Sequence, residues 1–385
     1  MTGYNLPNLY INYDHDGIFA PSFFSLNEDI KLPDTPPADG TMTKEERNVC
    51  IQTADFKLRE SRRKYEDESR RPQHKVLWLC LNRYVRKSGN TNGGYTLFFA
   101  HANGFHKETW EPTILSLLSS KKSQSLVQEI WVWEFCNHGD SALLNAGKLD
   151  TLIHRTTAAR DLLNFLIYFL PSTPGSTSLP THLPRVAQLE VQRRLQNGFL
   201  SPNSPRDPIC AVGHSYGGSI LTMAAISHPS LFNSLFLVDP VITYPDPKFY
   251  YTPNVLALGA LGRRGSWTNR ADARKSFLES DFFRVWDPRV LDLYVEAALY
   301  QGQDSRVHLK TSSIQEALVF IDAGIGAPEV WVRLWRQELD PRITLRWAMP
   351  SAPGKPQMDP RPNATRDRVW LRPENCSNVR IEGSV

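Results

Sequence analysis

The sequence predicts an α/β fold in which crossover helices flank a mostly parallel sheet, with a helical segment inserted after the sixth strand. Two observations carry this prediction. Short apolar runs alternate with helical stretches up to residue 242, and about 100 residues of largely helical sequence then precede the next run. With 385 residues, 41% hydrophobic and 22% charged, the chain can bury a large core, which excludes disordered and fibrous proteins.

The predicted strands follow the apolar runs. We expect residues 48–63 to be joined by a charged hairpin to the strand at 76–85. When residues 48–63 are counted as the first strand, the strand at 234–238 is the sixth. The remaining strands are predicted at 95–100, 129–135, 208–212, 343–348 and 379–382. Helices long enough to cross back over the sheet are predicted at 109–118, 156–170 and 218–227.

Three regions divide the predicted chain. Residues 1–45 are rich in proline and aspartate and show no sustained period, so an irregular N-terminal arm is expected there. Residues 46–242 and 343–385 form the predicted α/β core. Residues 243–342 form the predicted helical cap.

Charge and hydropathy exclude several partners. The net charge of +4 is too weak to indicate a nucleic acid. The longest apolar run, 162–170, has about half of the roughly 20 residues that a membrane-spanning helix needs. The N-terminus lacks a basic start followed by an apolar run, so we expect no secretion.

The cysteines are too scattered to form a recognisable site. Their number is odd and none form a CxxC pair, so we expect a reducing compartment, no disulfide framework and no zinc site. No motif in the sequence leads us to expect another metal or a cofactor. The five are Cys50, Cys80, Cys136, Cys210 and Cys376.

The segment Gly213-His214-Ser215-Tyr216-Gly217 fits the pattern G-x-S-x-G and stands between a predicted strand and a predicted helix. A serine on such a tight turn presents its Oγ above the sheet, and the glycines permit the strained backbone and the close packing. This segment predicts a nucleophile elbow with Ser215 as the nucleophile.

A second motif, residues 101–106 (HANGFH), directly follows the strand at 95–100. Enzymes of acyl transfer place a donor of the oxyanion hole at this position, and two preorganised N–H groups stabilise the developing charge. We predict that the backbone N–H groups of Phe105 and Tyr216 form this pair. A third motif, 137–141 (NHGDS), is expected to shape the site as a tight strand-exit loop.

From about Lys75 onward the chain resembles the α/β-hydrolase superfamily, with HANGFHKETW, NHGDS, GHSYGG and LFLVDP in the family's order and spacing. The first motif and the cap sequence resemble a fungal branch that contains peroxisomal lipase-like hydrolases. It also contains hydrolases from the biosynthesis of the host-selective AK-, AF- and ACT-toxins. The resemblance implies hydrolysis or transfer of an acyl ester or thioester in fungal metabolism of this kind.

The same resemblance implies a peroxisomal location. The chain ends in Gly383-Ser384-Val385, which is not a tripeptide of the SKL type, so a cytoplasmic location is the alternative.

A catalytic triad needs an acid to orient its histidine, and two locations compete. Asp239 directly follows the strand at 234–238 and is the favoured acid. The commoner location in this superfamily follows the strand after the cap, where the first carboxylates are Asp359 and Asp367. The choice between these locations stays open at the level of sequence.

The histidine of the triad is missing from its expected place. In the superfamily it follows the last strand and precedes a closing helix, but the last of the ten histidines is His308, in the cap. We therefore expect a truncated chain, a non-catalytic relative that binds a ligand or a partner, or a substitute base from His101, His106 or His308.

The predicted cap carries ten aromatic residues between Trp267 and Trp335. Most are expected to form the cap's own core, and the rest suit a small acyl substrate with an apolar body. Six cap arginines, from Arg263 to Arg289, would either meet an anionic group such as that of an acyl-CoA or lie on solvated helix faces.

Overall fold

The computed structural model describes residues 13–21, 25–27, 32–37, 41–67, 73–87, 94–149, 154–175, 179–201, 204–246, 254–322, 326–350 and 363–382.

A twisted sheet of eight strands forms the centre of the described structure. Its strands, in chain order, are β1 (Tyr13–Pro21), β4 (Trp78–Arg86), β5 (Tyr95–Ala100), β6 (Val127–Trp133), β7 (Ile209–His214), β8 (Phe232–Val238), β12 (Thr344–Pro350) and β13 (Cys376–Ile381). Their spatial order is β1-β4-β6-β5-β7-β8-β12-β13. Strand β4 runs antiparallel to both neighbours, and the pairings from β6 to β13 are parallel. The mostly parallel sheet is thus confirmed.

Two small sheets complete the described strands. They contain β2 (Ser25–Asn27) with β3 (Gln73–Lys75), and β9 (Ser266–Trp267), β10 (Leu299–Gln301) and β11 (Val307–Leu309).

Helices cover the sheet and build the cap. They are α1 (Lys44–Asp67), α2 (Glu111–Leu118), α3 (Lys121–Leu126), α4 (Gly139–Leu144), α5 (Arg155–Asn164), α6 (Gln188–Asn197), α7 (Tyr216–Ser227), α8 (Val255–Gly262), α9 (Arg270–Leu278), α10 (Asp281–Arg284), α11 (Pro288–Ala297), α12 (Ser313–Asp322), α13 (Gly326–Trp335) and α14 (Ala364–Val369). A 3₁₀ turn, Lys107–Trp110, leads into α2, and a π turn, Phe165–Phe169, extends α5. In the described residues, no helix is both long and apolar enough to cross a membrane.

The main core lies between the sheet and the pair α5 and α7. Phe98, Trp131, Leu162, Ile220 and Leu235 have no exposed surface and belong to one apolar cluster. Because β5, β7 and β8 run parallel, their carboxyl ends lie at one edge of the sheet, where the loops of a site can converge.

The irregular arm predicted for residues 1–45 is wrong in part. Residues 13–21 form β1, which pairs antiparallel with β4 at the edge of the large sheet. An edge strand tolerates the polar residues and the terminal Pro21 that argued against a strand, because one side of its backbone needs no partner in the sheet.

The hairpin expected at residues 48–63 is also wrong, because this segment lies inside α1. Its buried residues Ala54, Leu58 and Arg62 recur every four positions, which is the spacing of one helix face. With β1 in place of this segment, the cap still follows the sixth strand of the large sheet.

The predicted cap consists of α8–α13 with the three-stranded sheet β10-β11-β9. Trp267, Phe277, Phe283 and Tyr294 form its own apolar core. The last helix, α13, instead packs through Val330, Trp331 and Leu334 into the core beneath the large sheet.

Candidate active site

Ser215 lies between the end of β7 and the start of α7, with φ 53° and ψ −115°. The backbone of a residue other than glycine is strained at this positive φ. The surrounding contacts must therefore hold Ser215 in this conformation. The Ser215 N–H donates to Val238 O at 2.9 Å, and Ser215 O accepts from the N–H of Val241 at 3.0 Å. The end of β8 and the following loop therefore fix the backbone of the predicted nucleophile.

The glycines of the elbow are required by close backbone contacts. A Cβ on Gly217 would lie 2.5 Å from Ala100 O and 2.6 Å from His101 O. A Cβ on Gly213 would lie 2.6 Å from Cα of Gly218. Helix α7 can approach β5 and β7 this closely only because these residues lack side chains.

We expect Gly217→Ala to lower the free energy of unfolding by about 1–3 kcal/mol, the usual cost of overpacking. The added methyl meets carbonyl oxygens, which cannot rotate away as a side chain would. Urea unfolding followed by circular dichroism measures the change. Gly259→Ala in α8 is the matched control, because its Cβ would have no neighbour within 4 Å; equal stabilities of the two variants would contradict the close approach.

The predicted oxyanion loop forms a tight turn over residues 102–105. Gly104 has φ 76°, which fits the third position of a type II turn. The Phe105 N–H donates to Ala102 O at 3.2 Å. An oxyanion would have to share this N–H with Ala102 O, whereas Tyr216, as the first residue of α7, has an N–H without an acceptor in its own helix.

The predicted strand-exit loop supports the oxyanion loop through His138. The Gly104 N–H donates to His138 Nε2 at 3.0 Å, and the other ring nitrogen lies 2.8 Å from Asn137 Oδ1. His138 Nε2 also lies 3.0 Å from Asn103 Oδ1. Burial lowers the pKa of His138 well below its ordinary value, which keeps the ring uncharged. His138 thus links two loops of the site.

Asp239 lies at the carboxyl end of β8, next to the end of β7 that carries Ser215. Its backbone has φ 36°, and its N–H donates to Ala348 O at 2.9 Å. The carboxylate accepts from Arg368 Nη2 at 3.2 Å, and Arg368 Nη1 donates to Pro240 O at 2.6 Å. The favoured acid is therefore paired with an arginine on α14, a partner that the sequence did not suggest.

Asp367 and Asp359 are the competing candidates for the acid. Asp367 is half-buried on α14, one residue before Arg368. Asp359 falls outside the described residues.

The structure describes the side chains of eight of the ten histidines, all except His15 and His74. No hydrogen bond joins any of these eight rings to Ser215 or Asp239. The side chain of His214 points toward the oxyanion loop, with its ring centroid 5.7 Å from that of Phe105. Burial lowers the pKa of His214, although Asp239 opposes this effect.

The three histidines considered as substitute bases have other partners. His101 is fully buried, with Nδ1 2.8 Å from Ala102 O and Nε2 accepting from the Phe135 N–H, and burial lowers its pKa to about 3. His106 Nδ1 lies 3.0 Å from Glu108. His308 pairs with Asp304 in the cap at 2.8 Å.

Five of the six cap arginines are paired with acids, whereas Arg264 donates to Ser266 O. The half-buried Arg263 pairs with Glu316. The exposed pairs on the helices of the cap are Arg270 with Glu296, Arg274 with Asp292, Arg284 with Asp281 and Arg289 with Asp287. These contacts favour the interpretation of solvated helix faces.

An open α/β sheet with a serine elbow at its carboxyl edge and a cap after the sixth strand defines the class of α/β hydrolases. The chain matches the alpha/beta hydrolase family over residues 97–361, a range that contains the predicted oxyanion loop, the predicted elbow and Asp239. The chain belongs to this family.

Several fungal proteins are similar in sequence. "Abhydrolase domain-containing protein ACTT2-1" of Alternaria alternata is 33% identical over 124 residues, 30% of this chain and 45% of that protein. "Type I acyl-CoA thioesterase mpaH" of Penicillium brevicompactum is 26% identical over 225 residues, 57% of this chain and 44% of that protein. The matches thus span less than half the length of these relatives.

Among solved structures, the peroxisomal α/β-hydrolase Lpx1 of Saccharomyces cerevisiae superposes with a TM-score of 0.65. The match covers 97% of this chain and 83% of that chain at 16% identity, which is a likeness of fold.

Proposed function

We propose that the chain is a serine hydrolase that cleaves acyl esters or thioesters through an acyl-enzyme on Ser215. The observation that carries the proposal is the backbone of Ser215, held at φ 53° on a strand-to-helix turn by bonds to Val238 and Val241. Such strain persists where the surrounding structure enforces it, and it is common at functional sites.

In the proposed reaction, Ser215 Oγ attacks the acyl carbonyl, and a bond forms between this oxygen and the carbonyl carbon. The N–H groups of Phe105 and Tyr216 stabilise the resulting oxyanion. The bond to the leaving group then breaks, and this group departs as an alcohol or thiol with the proton that the Ser215 hydroxyl lost. Water then releases the acid from Ser215 and returns a proton to Oγ. Asp239 is the proposed acid of the site.

The substrate is proposed to be a small molecule with an apolar acyl body. The partly exposed rings of Phe105 and Trp286, with centroids 5.0 Å apart, offer an apolar surface beside the elbow. The similarity to a protein named an acyl-CoA thioesterase supports a thioester. A role in fungal toxin metabolism and a peroxisomal location rest on the resemblance of the sequence and on the relatives reported above.

A second candidate function is binding of an acyl ligand without turnover. It is favoured by the absence of a bond to Ser215 or Asp239 from any of the eight histidines whose side chains the structure describes. Loss of one triad member typically lowers kcat by about 10⁴- to 10⁶-fold in a well-studied serine protease.

Labelling with a fluorophosphonate probe tests the first proposal. We expect the folded protein to take up the probe and Ser215→Ala to take up none, because only an activated serine reacts. Ser227→Ala is the matched control, since Ser227 lies at the far end of α7 and bonds to Met223 O. Label retained in Ser215→Ala would contradict the assignment of the nucleophile.

Comparison of a medium-chain acyl-CoA with the corresponding oxygen ester then identifies the preferred substrate. Binding of the acyl compound by folded, unlabelled protein would instead establish the second candidate. Turnover that requires Ser215 and rises with added imidazole would show that the chain supplies no base of its own.

A further inference from the structure

The oxyanion loop is attached to the cap at three consecutive residues. Asn103 Nδ2 donates to Glu316 O at 3.0 Å. Gly104 O accepts from the hydroxyl of Tyr294 at 3.2 Å. The ring of Phe105 packs against that of Trp286. The position of this loop is therefore set partly by a separate element of the fold.

The contact at Gly104 bears directly on the predicted oxyanion donor. Gly104 O and the Phe105 N–H belong to one peptide unit, which is planar, so the two groups point in opposite directions. A hydrogen bond that fixes the direction of this oxygen also fixes the direction of the N–H. Tyr294 in α11 thus orients the N–H of Phe105 without touching it.

Tyr294 is itself held by a partly buried ion pair. Arg263 Nη1 donates to the Tyr294 hydroxyl at 3.3 Å, and Arg263 pairs with Glu316 on α12. The carboxylate of Glu316 also lies against the turn, because a Cβ on Gly104 would come within 2.6 Å of its Oε1. A hydroxyl that accepts a hydrogen bond from a cation is a stronger hydrogen-bond donor. Arg263 therefore strengthens the hydrogen bond from the Tyr294 hydroxyl to Gly104 O.

We propose that Tyr294 is a positioning residue that sets the oxyanion loop from the cap, through the carbonyl of Gly104. This inference rests on the proposed hydrolase function. Tyr294 is not a catalytic residue, because its hydroxyl is occupied by Arg263 and Gly104. Its ring packs against His106, with centroids 5.5 Å apart, so the ring would stay in place without the hydroxyl.

The variant Tyr294→Phe removes only the hydroxyl. We expect kcat for an acyl ester to fall about 10- to 100-fold, since a misplacement of about 1 Å can cost about 100-fold. We expect KM to change less than about twofold, because the donor acts mainly in the transition state. Tyr300→Phe, in β10 of the same cap with its ring against His308, is the matched control and should change neither value.

Hydrogen exchange of peptides covering residues 101–108 provides a readout that does not depend on turnover. We expect faster exchange in Tyr294→Phe than in the wild type or in Tyr300→Phe, with melting temperatures that stay within a few degrees. Unchanged exchange would overturn the inference, as would equal losses in the two variants.

The two proposals fail in different ways. If the wild type shows no turnover but the loop still exchanges faster in Tyr294→Phe, the hydrolase function is refuted. The attachment of the oxyanion loop to Tyr294 is then still supported. An active wild type with unchanged kcat in Tyr294→Phe would refute the positioning role alone.

Discussion

Glu129→Gln is expected to lower the free energy of unfolding by about 3–5 kcal/mol, the usual cost of removing one member of a buried ion pair. Glu129 lies in β6 between Arg83 of β4 and Arg206, and none of the three side chains is exposed. The neutral amide would remove the negative charge that faces these two buried guanidinium groups.

The geometry shows why this carboxylate is ionised. Oε2 accepts from Arg83 Nη2 at 3.1 Å and from the Gly175 N–H at 3.2 Å, and Oε1 accepts from Arg206. Burial alone would raise the pKa of Glu129, but Arg206 and Arg83 outweigh it and hold the pKa below its ordinary value. The stabilisation is therefore present above pH 4.5 and is lost as the pH falls through the lower pKa of the folded state.

Urea unfolding at pH 7 measures this loss. The control is Glu338→Gln, whose partner Arg333 lies 2.7 Å away in a pair that solvent reaches at the surface. An exposed pair contributes at most about 1 kcal/mol, so the control should stay close to the wild type. A Glu129→Gln midpoint equal to that of the control would contradict the prediction.

The parts of the fold that the sequence predicted are those with a local signal. The apolar run 95–100 became β5, and G-x-S-x-G became an elbow, because both patterns are complete within a few residues. The segment 48–63 was misread because mixed charge hid its helical period, in which Arg62 occupies a buried position beside Asp322.

The contacts that shape the site have no local signal. Arg368 and Asp239 are 129 residues apart, and Tyr294 and Gly104 are 190 residues apart. Neither Arg368 nor Tyr294 belongs to a sequence motif, so only the folded chain shows which residues they contact. Sequence reasoning could name Asp239, but it could not predict that a guanidinium group would be its partner.

Glu111→Gln is expected to raise the free energy of unfolding above neutral pH, whereas Glu129→Gln lowers it. Glu111 begins α2, is 1% exposed and accepts from the Tyr84 hydroxyl at 2.6 Å. Its Oε2 has no hydrogen-bond partner among the described residues. Burial, with the nearby charge of Glu108, raises the pKa of Glu111 from 4.5 to about 8.

The direction of this effect on stability follows from whether the folded or the unfolded chain holds the proton. Below pH 4.5 the carboxyl group is neutral in both the folded and the unfolded chain. Between pH 4.5 and about 8 the unfolded chain loses this proton while the folded chain keeps it, so the wild type becomes less stable as the pH rises. At about 1.36 kcal/mol per pH unit, the full loss reaches about 5 kcal/mol. Glutamine carries no proton that titrates here and avoids this loss.

The comparison of wild type and variant isolates Glu111 from its neighbours. Burial also raises the pKa of Glu134, to about 7, so the pH profile of the wild type alone contains more than one group. The difference in unfolding free energy between Glu111→Gln and wild type cancels the shared titration. It should grow by about 4 kcal/mol in favour of the variant between pH 5 and pH 9. A difference that stays flat over this range would mean that Glu111 is already ionised at pH 5 and that water reaches its free oxygen.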